Sequence, residues 1–126
     1  MFKIFDKKKP TLDDLLMELT NAQSKLDEET SLFSAIEARY QSSIQDYLKA
    51  KHDYEDALAE YSRFGGEEYA LKEAQARQNY GGESRFYSDN VLAYQEQAKR
   101  VKKAEKVYKK LQAKVAKLAE DQQMGR

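Results

Sequence analysis

The chain has 126 residues, 35% of them charged, with only five glycines and one proline, a composition that belongs to long helices and coiled coils. Twenty-two basic and 22 acidic side chains cancel to zero formal net charge, so only local clusters can attract nucleic acid or membrane. The lack of cysteine excludes disulfides, thiolate metal sites and cysteine nucleophiles, and fits a reducing compartment.

No run approaches the ~20 apolar residues of a membrane span. The opening MFKIFDKKKP lacks the layout of a signal peptide, because Phe2, Ile4 and Phe5 precede the lysines and no apolar stretch follows. A cytoplasmic protein is the simplest expectation, with signal-less secretion left open. Residues 1–10 read as an apolar-then-basic arm closed by Pro10, whose predecessor is biased away from helix. Its apolar side chains are expected to pack on exposed apolar surface, with an anionic membrane surface as the alternative.

Thr11 reads as an N-cap, with Asp13 and Asp14 in the first turn where the macrodipole favours negative charge. A heptad array follows over 11–64. Position a is Leu12, Leu19, Leu26, Phe33, Tyr40, Tyr47, Tyr54 and Tyr61; position d is Leu15, Ala22, Glu29, Ile36, Ser43, Ala50, Ala57 and Phe64. Alternating steps of three and four put both rows on one side of a helix, the pattern of a coiled-coil seam. Bulky a rings over small d residues predict a close approach of helices, with the tyrosines used for packing in preference to ligand stacking. Glu29 is the one acid on the seam, and a charge there must be paired or wet; it is a candidate for setting register, with a lysine from another chain as a possible partner.

Gly65-Gly66 is expected to end this helix by supplying the left-handed cap. A connector helix over 67–80 follows, bounded by a second pair, Gly81-Gly82. A third helix over 83–123 carries the apolar run Tyr87, Val91, Tyr94, Ala98, Val101, then Ala104, Tyr108, Leu111, Val115, Leu118, with a three-residue step at the join that reads as a stammer. Residues 124–126 are a tail. Two long helices so connected should fold back antiparallel. The connector either continues the third helix with a bend at Gly81-Gly82, bringing Phe33 near Ala98, or crosses the tip with Tyr61 opposite Phe86; matching helix lengths favour the first.

The predicted fold is all-α: a long antiparallel helical hairpin, coiled-coil-like, with a short glycine-bounded connector helix at its tip. Leu16, Ile44 and Leu58 at e, Leu32 at g and Leu48 at b widen the apolar stripe beyond a two-stranded seam. Something must cover it, since elongated small chains bury little of their own surface; oligomerisation into a larger bundle is the expected answer. The candidate partner interface is Tyr40, Ile44, Tyr47, Leu48, Tyr54, Leu58, Tyr61 and Phe64.

Charge is uneven along the chain. Acids dominate 11–61, whereas 99–117 carries lysines and Arg100 against the single Glu105, a contrast that favours antiparallel pairing. Lys99, Lys103, Lys106, Lys110 and Lys117 form a candidate basic face opposite the apolar stripe. No exposed aromatics interleave with them, no nucleic-acid motif is present, and lysine suits base readout less than arginine does.

His52 is the only histidine, and no HExxH or ExxH pattern accompanies it, so neither a metal nor a cofactor is expected. The glycine pairs lack the preceding strand and the GK[ST] of a phosphate loop. A hairpin offers no rigid cleft for triad chemistry, and no catalytic residue or small-molecule substrate is assigned. The expectation is a non-enzymatic protein–protein interaction module, an assembly factor, adaptor, scaffold or inhibitor whose partner is a second copy or another protein. The alternative is a peripheral membrane or nucleic-acid binder using the arm and the basic face.

Overall fold

The computed structural model describes residues 9–125, which form two α-helices packed as a hairpin, α1 (Leu12–Phe64) and α2 (Gly66–Gly125). Among the described residues there is no strand. The expectations placed on Phe2, Ile4, Phe5 and the lysines up to Lys8, and on Arg126, lie outside them.

Both ends of α1 follow local chemistry. The Asp14 amide donates to Thr11 Oγ1 at 3.0 Å, and the Thr11 amide donates to Asp14 Oδ2 at 3.1 Å. This is a reciprocal capping box in which aspartate takes the glutamate's role, satisfying two donors that the first turn leaves free. At the other end the Gly65 amide donates to the Tyr61 carbonyl at 2.8 Å, and Gly65 has φ +64°. That is the left-handed cap in its simplest form. Gly66, with φ +88°, then starts α2, so the reversal takes place on two residues whose backbone an L side chain would strain.

The hairpin divides into two compact units, a central one, Leu32–Ala98, and a terminal one made of residues 9–31 with 99–125. In both, the seam of α1 is the predicted one. The a and d rows from Leu12 to Ala57 are buried or half-buried while their neighbours are mostly exposed; Tyr61 and Phe64, at the end, are exposed.

Two expectations about the second half need correction. The connector helix over 67–80 and the third helix over 83–123 are one helix, because Gly81-Gly82 lies inside α2. Both glycines keep ordinary backbone angles; among the described residues the positive-φ positions are Gly65 and Gly66. Two mid-helix glycines cost about 1 kcal/mol each against alanine. Ring contacts made by Tyr80 on one side and Tyr87 on the other offset this, so packing overrides local propensity.

The stammer is also absent. The buried seam of α2 runs Tyr87, Asn90, Tyr94, Gln97, Val101, Ala104, Tyr108, in unbroken steps of three and four. Asn90 and Gln97 are 4% and 3% exposed, whereas Val91 and Ala98, assigned to the stripe, flank it and are half-buried. Extended backwards, the same heptad takes in Tyr69, Glu73, Ala76, Tyr80 and Glu83.

The register is the favoured one: Tyr40 lies between Tyr87 and Tyr94, and one heptad away Phe33 meets Tyr94 at 5.0 Å between ring centroids, in the neighbourhood of Ala98. The arrangement with the connector crossing the tip does not occur.

Candidate partner interface

The central unit is built around a column of rings. Phe33, Tyr40, Tyr47 and Tyr54 from α1 alternate with Tyr94, Tyr87 and Tyr80 from α2. Successive centroids are 5.0, 4.9, 6.1, 5.0, 5.7 and 5.6 Å apart. Interplanar angles of 13–36° make these offset or tilted stacks, the arrangement that ring quadrupoles favour. Every interior ring touches two rings of the opposite helix. The sevenfold recurrence of tyrosine on both helices causes this, since antiparallel heptads bring a residue of one helix between two turns of the other.

The small d residues do what their size allows. Ser43 and Ala50 are 1% and 2% exposed, and the Ser43 hydroxyl donates to the Tyr40 carbonyl at 2.7 Å, which satisfies it within its own helix. Buried polar residues of α2 are held in the same manner. Asn90 Nδ2 donates to the Phe86 carbonyl at 2.7 Å. Glu73 receives Arg77 through two 3.2 Å contacts, Nη2 to Oε1 and Nε to Oε2, a bidentate pair one turn apart.

Two phenols are shifted by this packing. Burial raises the Tyr40 hydroxyl above its ordinary value, helped by Tyr87 and Tyr94. The Tyr47 hydroxyl lies 3.4 Å from that of Tyr80. That hydrogen bond, the charge Tyr80 can carry and burial raise Tyr47, and Lys51 opposes them. Both tyrosines are thereby favoured as neutral phenols.

The predicted interface residues divide into two groups. Tyr40, Tyr47 and Tyr54 are spent on the column and only half-buried by it, and Ile44 is half-buried beside them. Leu48 and Leu58 are 51% and 41% exposed. At the tip Tyr61 and Phe64 are exposed; the Phe64 ring lies 5.1 Å from Tyr69, with Arg63 over the Phe64 ring and Lys72 over the Tyr69 ring. On α2, Leu71, Phe86 and Leu92 are exposed too, and reading the sequence did not single them out for this.

The terminal unit holds the predicted basic face. Lys99, Lys103, Lys106, Lys110 and Lys117 are all exposed. Lys103 lines an open groove of about 410 Å³ with Lys25, Arg100 and Glu29 over Ala22 and Ala104. Glu29 is buried there, and its carboxylate Oε2 meets Lys25 Nζ at 3.2 Å. Lys25 stands one turn away on the same helix.

No protein-family model, curated protein or solved structure matches this chain. Among the described residues no group of three or more His, Cys, Asp or Glu is placed to hold a metal ion, and His52 sits 3.6 Å from Asp56 on an exposed face. No helix among them is long and apolar enough to cross a membrane.

Proposed function

We propose that this chain is a non-enzymatic protein–protein interaction module, an assembly, adaptor, scaffold or inhibitory hairpin that docks helix against helix. One observation carries the reading: the hairpin leaves large aliphatic side chains uncovered beside its seam, Leu32, Leu48 and Leu58 among them. The core it keeps for itself is thin, the buried apolar residues among those described being Leu15 and the alanines Ala22, Ala50 and Ala104. Apolar surface of this kind is worth ~25 cal/mol per Å² once removed from water. A partner helix that covers it supplies what the hairpin lacks.

The test is the mass at which the chain travels in an extract of its source cells. The reading expects a complex that Leu48→Glu with Leu58→Glu disperses while helix content is retained. A chain travelling at its own mass, unchanged by the double substitution, overturns it. The exposed lysines of the terminal unit support a second reading, binding to anionic lipid or nucleic acid. Association with anionic vesicles or DNA that fails after Lys99, Lys103, Lys106 and Lys110 are replaced by Glu would favour it.

A further inference from the structure

Gly81 has no evident reason within the chain to be glycine. Its φ is not positive, and a Cβ built on it would meet nothing within 4 Å. Glycine in a helix interior nevertheless weakens the helix. Along the same flank of α2 the side chains are small at Ala74, Ser84 and Ser88, with Arg77 the one long residue among them. The facing flank of α1 carries the large residues Ile44, Leu48 and Leu58, with the charged Lys51 and Glu55 between the two leucines, both of which are exposed.

Both rows border one side of the seam. Positions e and b follow a around a helix, and in an antiparallel pair the e flanks of the two helices fall on the same side. The a rows on that side are the rings of the column. Tyr47 lies between Tyr80 and Tyr87, so Leu48 is level with Gly81 and Ser84. Tyr54 stacks on Tyr80, which puts Glu55 level with Arg77 and Leu58 level with Ala74. Large aliphatic residues of α1 therefore run beside small residues of α2 at matched levels, with Lys51, Glu55 and Arg77 between them.

That pairing is self-complementary. A two-fold axis parallel to the helices lays α1 of one copy over α2 of the other without altering the level of any residue. Each Leu48 then meets Gly81 of the other copy, each Leu58 meets Ala74, and Glu55 meets Arg77 with opposite charge. The interface is isologous, as closed dimers require. Two helices side by side across Leu32–Ala98 present the ~20 residues a side that a stable interface uses. We propose that a second copy of this chain docks on this side of the central unit, its leucine row seated on the Gly81 row, to form a four-helix bundle. The proposal rests on the reading of the chain as an interaction module and names the partner.

The chain has no cysteine, so single cysteines report cleanly. Sedimentation of the pure protein should show a dimer. Leu48→Cys mixed with Ser84→Cys should oxidise to the mixed disulfide dimer, whereas Leu48→Cys alone should not cross-link. Gly81→Leu should raise the dimer Kd by about tenfold or more, the size of effect seen at interface hot spots. Gly82→Leu, one residue on and turned toward the other side, should leave it unchanged.

A monomer at high concentration overturns the proposal, as does Leu48→Cys cross-linking to itself, which would lay α1 on α1. Dissociation by Gly82→Leu but not by Gly81→Leu also overturns it. If Gly81→Leu fails to fold, the cysteine pair still decides. A pure monomer that nonetheless travels in a complex in the native extract removes the second copy alone; a chain free in both settings removes the module reading too.

Discussion

The central and terminal units run the same heptad in different materials. In the terminal unit the seam is mainly aliphatic, with Leu12, Leu15, Leu19 and Leu26 on α1 and Val101, Leu111, Val115 and Leu118 on α2, Glu29 and Tyr108 being the exceptions. In the central unit bulky rings alternate with Ser43, Ala50, Asn90 and Gln97, and the rings form one continuous column. An aliphatic layer loses little when its neighbour changes, because dispersion contacts are many and undirected. A ring in a column props two others. The units should therefore differ in how far a single truncation spreads.

The largest test of that difference is Tyr87→Ala, which removes stacks on both Tyr40 and Tyr47. We expect a loss of about 3 kcal/mol in urea unfolding, against about 2 kcal/mol for Leu19→Ala in the terminal unit, since both side chains are half-buried. A double-mutant cycle should couple Tyr87 to each of its two neighbours by about 1 kcal/mol. A greater cost for the leucine, or additive ring substitutions, would break the contrast.

A second test uses pH. Tyr40 and Tyr47 have folded values above the ordinary phenol value of 10.0. In the window between that value and the raised ones the unfolded chain holds fewer protons than the folded chain, so stability falls as pH rises. The contribution is complete below pH 10 and is lost as the pH climbs through the folded values. Urea midpoints measured across this range should decline in step with phenolate absorbance. Tyr40→Phe with Tyr47→Phe should flatten the decline, and an unchanged slope in that variant would show that the column does not govern it.

The contrast between the units also explains what the sequence made legible. The α1 seam was readable because a large residue returns at every seventh place from Leu12 to Tyr61. On α2 the same rule holds through Tyr80, Tyr87, Tyr94, Val101 and Tyr108, but the companion row is polar at Glu83, Asn90 and Gln97. Following apolar residues alone drew the stripe to Val91 and Ala98 and required a stammer. The signal that finds the true seam is the sevenfold tyrosine spacing, since Asn90 is buried by its neighbours and by its bond to the Phe86 carbonyl rather than by its own polarity. The continuity of α2 was illegible for a related reason: local propensity at Gly81-Gly82 says break, and the rings on either side of the pair outweigh it. Of the candidate interface, the packing role of the tyrosines and the uncovered positions of Leu48 and Leu58 outside the seam were legible, whereas the exposure of Leu71, Phe86 and Leu92 on α2 was not, because the α2 seam was misplaced.

The smallest effect comes from glycine, and it sharpens the contrast because the glycine pair in the interior of α2, Gly81-Gly82, belongs to the central unit. Gly82 has an ordinary backbone and open space where a Cβ would stand. Gly82→Ala should therefore add about 0.8 kcal/mol to stability in urea, from helix propensity and the reduced freedom of the unfolded chain. The same change at Gly65 should have the opposite sign. There too a Cβ meets nothing, yet φ is +64°, so alanine should cost about 1 kcal/mol through backbone strain alone. Opposite signs for one substitution at two uncrowded positions would isolate conformation from packing. A loss at Gly82 would mean that the column tolerates the glycine pair only in a geometry that alanine resists.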